Sequence, residues 1–139
     1  ILKRSEIREA AFLLTFEKLF TDDSVDAVID AAYEVDEFEM DEECEKLFEA
    51  VTEKAAEIDE IIAANSEKRQ FSRIPKVSIA ILRVAIYEML YNDKVPNNVA
   101  ISEAVLLAKK YTYTPDVKFI NGVLGVVAKG LENKKGAEE

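Results

Sequence analysis

The sequence predicts an all-α fold of about six or seven helices, forming one domain over 1–139. Three observations carry that expectation. Apolar residues recur at the three- and four-residue spacing of a helix face in segment after segment. Ser, Asp, Asn, Thr or Pro stands just ahead of those segments, where helices start. No segment shows the strict alternation of a half-buried strand. The chain has 139 residues, 49% of them hydrophobic, which suits a domain that buries its own core.

The first helix is expected over 6–20, capped by Ser5, with Ile7, Ala10, Ala11 and Leu14 on its apolar face. Thr21-Asp22-Asp23-Ser24 reads as a turn and a new start. It leads to a second helix over 25–37 with Val25, Val28, Ile29 and Ala32 inward. Asp41 can cap a long third helix over 42–64. Leu47, Val51, Ala55, Ile58 and Ile62 share one face there, and Glu42 and Glu43 suit the positive end of the helix.

A short basic connector, 68–74, carries one aromatic, Phe71. Pro75 then opens a fourth helix that reaches 91 and is apolar almost all round, the pattern of a helix buried on most sides. A fifth helix runs from a cap at Asn97 or Asn98 to 111. A sixth, capped by Thr114 with Pro115 at its first position, runs to 131. The tail 132–139 is polar and expected to fray. Gly122 and Gly125 weaken the last helix, and close backbone packing is the expected reason for them.

Composition excludes much chemistry. With no histidine and one cysteine, Cys44, the chain cannot build a Ser-His-Asp triad, a His-ligated zinc site or an internal disulfide. It has no glycine-rich phosphate loop. Asp36, Glu37 and Glu39 lie close together, but their spacing is not that of a metal loop. No enzyme activity, cofactor or metal is expected. Cys44 reads as a small buried apolar side chain, and its solitary state fits the cytoplasm. No apolar run approaches the ~18 residues of a membrane span, so no membrane role is expected.

Charge is unevenly spread. The net charge is −10, yet residues 21–67 hold 18 acidic and 2 basic residues, while the rest hold 10 acidic and 16 basic. A screening length of about 8 Å lets a basic patch act on a polyanion while an acidic surface lies elsewhere. Lys3, Arg4 and Arg8 lie at the start, and Arg4 and Arg8 are one turn apart on a helix. Thr114 to Gly122 brings Lys118 and Phe119 to a helix start, where anions are favoured and an aromatic beside a cation can stack a base. By spacing alone core packing is the stronger reading of Phe119, because Val123 and Val126 follow at i+4 and i+7. Arg83, inside the apolar helix, requires an acidic partner, with Glu88 and Glu103 as candidates, or must reach water.

Several segments together resemble one known family. They are Arg8-Glu9-Ala10-Ala11, Ile81-Leu82-Arg83-Val84-Ala85-Ile86-Tyr87-Glu88, Val95-Pro96, Val99-Ala100-Ile101-Ser102-Glu103-Ala104-Val105, Ala108-Lys109 and Lys118-Phe119-Ile120-Asn121-Gly122-Val123-Leu124. Their order and spacing resemble the NusB family of bacterial transcription antitermination factors. That resemblance implies two small helical bundles packed together, here roughly 1–67 and 68–131. It implies binding of single-stranded boxA-type RNA together with the small-subunit ribosomal protein NusE, in an antitermination complex with RNA polymerase. It also implies an RNA-binding set here of Lys3, Arg4, Arg8, Phe16, Lys118 and Phe119. Ser5 and Glu6 stand where the family often has basic residues, which implies weak RNA binding alone, strengthened by the partner. The alternative is a protein-only helical adaptor or homodimer with weak or lost RNA binding.

Overall fold

The computed structural model describes residues 1–67 and 69–138. Among these the chain forms seven α-helices and no strand: α1 (Arg4–Lys18), α2 (Val25–Val35), α3 (Glu42–Glu53), α4 (Ala55–Ala64), α5 (Lys76–Tyr91), α6 (Asn97–Tyr111) and α7 (Thr114–Glu138), with a 3-10 turn at Phe71–Arg73. The all-α expectation holds. Lys68, first residue of the expected basic connector, and Glu139 lie outside the described residues.

The caps explain several boundaries. Ser24 Oγ accepts from Ala27 N–H (3.1 Å) and starts α2, and Asp41 Oδ1 accepts from Cys44 N–H (3.1 Å) and starts α3. α1 begins earlier than Ser5 would allow. Lys3 occupies the cap position, and its N–H donates to Glu6 Oε1 (2.9 Å), so the acidic residue of the first turn completes the start. α5 and α6 each follow a proline, Pro75 and Pro96, rather than containing it or using an Asn cap.

The expected long third helix is two helices. Lys54, at φ −99° and ψ 6°, ends α3 and precedes α4. The two halves serve different neighbours: α3 packs mainly against α1, and α4 against α5. A straight helix could not follow both. At the other end, α7 continues to Glu138, past the residue where fraying was expected, and Glu132 to Gly136 are exposed.

The largest core cluster is centred on α5. Ile79, Leu82 and Ile86 meet Phe12 of α1, Ile58 and Ile62 of α4, Ala104 and Leu107 of α6, and Ile120 and Leu124 of α7. A second cluster, with Leu14, Val28, Ile29 and Phe48, joins α1, α2 and α3. Cys44 is fully buried beside Ile7 and Ala10, as expected of a small apolar side chain. α1 touches both groups of helices, with α2 and α3 on one side and α5 on the other.

Candidate nucleic-acid interface

The end of α6 and the start of α7 organise the candidate surface. Thr112 closes α6, with its N–H and its Oγ1 both donating to Ala108 O (2.8 and 2.6 Å). The chain turns at Tyr113, which is 83% exposed, and re-enters a helix at Thr114. Lys118 is exposed one turn into α7. Phe119 is half-buried: one part of it packs on the core, and the Arg69 guanidinium lies 4.4 Å from its ring centroid. Arg69 is held there by Asp116, Nη1 to Oδ1 at 2.7 Å. Core packing and an accessible aromatic edge therefore coexist in Phe119.

α1 reaches this junction through Glu9. Lys110 Nζ and Tyr111 Oη both donate to Glu9 Oε2 (2.6 and 2.5 Å). Burial alone would push the Glu9 carboxyl up, but these bonds and the Lys110 charge outweigh it and hold it below its ordinary value. Lys3 and Arg4 are exposed at the start of α1, about 8 Å along the helix from Glu9. Glu9 thus ties α1 to the end of α6, which α7 follows.

Phe16 belongs to an aromatic row along α1. Phe12 packs on Tyr111 (5.0 Å between centroids), Phe16 stacks on Phe12 (6.3 Å), and Phe20 meets Phe16 edge-on (5.0 Å). Phe20 is exposed, and Lys76 Nζ sits 5.1 Å from its ring centroid. Phe12 is fully buried and Phe16 half-buried, so only the outer end of the row, Phe20 with its cation, is open for a base to stack on.

Arg8 does not join this surface. It is 6% exposed, and its partner Glu88 is 1% exposed. Its Nε and Nη2 donate to the two Glu88 carboxylate oxygens, Nη2 to Oε2 at 3.0 Å, and Nη1 lies 3.7 Å from Glu103 Oε2. Burial would lower the Arg8 pKa, but the Glu88 hydrogen bonds and the Glu88 and Glu103 charges raise it overall. The expectation that Arg8 contacts phosphate is therefore corrected, because its donors are committed to a tie among α1, α5 and α6. The partner assignment of Arg83 is corrected with it. Glu88 is occupied by Arg8, and Arg83 binds Asp59 of α4 in a bidentate pair (2.9 and 2.7 Å).

Arg69, Lys76, Phe20, Tyr111 and Tyr113 enter the surface without having been singled out in the sequence. The basic character of the connector was a usable signal for Arg69. Nothing local marks Tyr111, whose role depends on Glu9, 102 positions away. The expected close packing at Gly122 and Gly125 is also corrected, since a Cβ at either would meet nothing within 4 Å.

The sequence and the fold both have known relatives. The sequence profile of the NusB family matches residues 5–129. The transcription antitermination protein NusB of Listeria monocytogenes serotype 4a is 39% identical over 127 residues, covering 91% of this chain and 97% of that protein. The structure of T. maritima NusB aligns with a TM-score of 0.79 at 27% identity, over 92% of each chain. A crystal structure of antitermination factors NusB and NusE in complex with dsRNA shares the fold, with a TM-score of 0.79 at 23% identity over 91% of this chain and 96% of that one.

Proposed function

Given that the chain belongs to the NusB family, we propose that it is a non-enzymatic, cytoplasmic transcription antitermination factor that binds boxA-type single-stranded RNA together with NusE. The observation that carries this reading is the family match across nearly the whole chain, including the Lys118-Phe119 segment at the start of α7. Similar proteins are named for antitermination, and a protein of the same fold has been crystallised with NusE and RNA.

The geometry supplies a physical route. Lys3, Arg4 and Lys118 offer exposed cations to phosphates. Half-buried Phe16 and Phe119, and exposed Phe20 and Tyr113, offer aromatic surface for bases. With Arg8 withdrawn into the interior, few cations remain on the arm, so the chain alone binds weakly and NusE supplies additional contacts. The protein acts as an adaptor that joins nascent RNA to a protein partner.

Titration of a boxA-like RNA, a scrambled single strand and a duplex, each with and without NusE, tests this. Preference for the boxA-like strand, larger with NusE, is expected. About three neutralised phosphates give a slope near −2 for log K against log salt. Equal binding of boxA-like and scrambled RNA in both conditions would instead favour the protein-only adaptor or homodimer.

A further inference from the structure

Helix α6 carries two apolar stripes. The one that faces the core is Ala100, Ala104, Leu107 and Ala108, mostly alanine. The other, Val99, Ile101, Val105 and Leu106, has larger side chains and lies outward, with Leu106 57% and Val99 38% exposed. A helix with a single buried face places its bulk inward. Exposed apolar residues are ordinary one at a time, but a stripe over two turns is a contact surface.

Ile101, Val105 and Leu106 form one wall of a groove of about 390 Å³ between α6 and α7, and Asn121 stands on the other. Lys109 lies at its edge, and no carboxylate lines it. We propose that this groove docks an acidic amphipathic helix of a partner protein. The proposal is independent of the RNA-binding reading above.

Charge selects the occupant. Residues 94–131 hold five lysines and two carboxylates, in a chain of net charge −10. Both carboxylates already face arginines: Glu103 lies 3.7 Å from Arg8, and Asp116 binds Arg69 at 2.7 Å. Lys110 is held by Glu9, whereas Lys94, Lys109, Lys118 and Lys129 are exposed. The surroundings of the groove therefore favour a negatively charged partner. No aromatic side chain lines it, so it lacks the stacking surface that single-stranded RNA uses. An amphipathic helix fits both features. Apolar anchors at i, i+3, i+4 and i+7 fill the wall of α6, and flanking carboxylates meet Lys109. The 15 residues of α6, about 22 Å, set the length of the contact. Lys118 and Phe119 do not line this groove, so RNA and the partner helix can be held together.

The experiment uses the full chain and a synthetic helical peptide about as long as α6, with a leucine stripe flanked by glutamates. Fluorescence anisotropy gives its affinity, and amide shifts in NMR spectra give its place. Binding is expected, with shifts gathered on Ile101, Val105, Leu106 and Asn121. A peptide with lysine for each glutamate should bind about tenfold more weakly or worse. Leu106→Glu should weaken the acidic peptide about tenfold, and Lys109→Glu about fivefold. Val35→Glu, at another exposed apolar residue, should leave it unchanged, and Leu106→Glu should leave RNA and NusE binding as in the wild type. No binding of the acidic peptide at millimolar concentration, equal binding of the two peptides, or shifts on a different surface overturns the proposal. So does loss of NusE or RNA binding in Leu106→Glu, which would give the groove to one of those partners instead.

Discussion

Two arginine–carboxylate pairs in this molecule share the same chemistry and do opposite work. Arg8–Glu88 lies in the interior where α1 meets α5, with both side chains almost fully buried. Arg69–Asp116 lies at the surface between the post-α4 turn and α7, with its guanidinium over Phe119 and side-chain exposures of 28% and 19%. A buried pair cannot be opened without stranding a charge, so it fixes the packing of helices. A half-exposed pair can exchange partners with a polyanion at little cost. Burial, rather than residue type, separates the cation locked between helices from the one a polyanion can reach.

The largest expected effect breaks the interior pair. Glu88→Ala leaves Arg8 buried without its bidentate partner and should cost about 3–5 kcal/mol of folding stability, measured by urea unfolding. A loss below about 1 kcal/mol would mean that Arg8 reaches water and that the two regions differ less than their burial indicates. Lys118→Glu probes the other region. Stability should change by no more than about 0.5 kcal/mol, while RNA affinity falls about tenfold or more and the salt slope shrinks by about 1. Unchanged RNA retention would remove the start of α7 from the interface.

How much of this was legible in the sequence depends on distance along the chain. The helices follow from local spacing and caps, which is why Ser24 and Asp41 were readable as starts. The break at Lys54 was not, because the apolar stripe continues through it and only the choice of neighbours, α1 for α3 and α5 for α4, separates the halves. Arg4 and Arg8 share a helix, but spacing says nothing of what each one faces. The partner of Arg8 lies 80 positions away and that of Arg83 lies 24 away, so neither pairing had a local signature. Phe119 was ambiguous for a physical reason, since it packs on the core and against the Arg69 guanidinium at once.

A smaller effect belongs to the link between the regions. The Glu9 carboxyl is held below its ordinary value in the folded chain, so it binds protons less readily folded than unfolded. Its contribution is therefore present above the unfolded carboxylate range and is lost as pH falls through the lower folded value. Glu9→Gln should cost about 1 kcal/mol at pH 7 and show a shallower loss of stability on acidification than the wild type. Identical acid profiles for the two proteins would mean that the Lys110–Tyr111 contact does not fasten α1 to the end of α6.

The most direct test of the division between interior and surface replaces the buried pair without leaving a stranded charge. The double change Arg8→Met with Glu88→Leu should stay folded, because hydrophobic replacement of a buried ion pair is often neutral or stabilising. RNA binding by that protein, measured with NusE across a range of salt concentrations, should match the wild type in both affinity and slope. A slope smaller by about 1, with affinity reduced in parallel, would mean that Arg8 leaves Glu88 to neutralise a phosphate, and the separation of a structural cation from the functional ones would collapse.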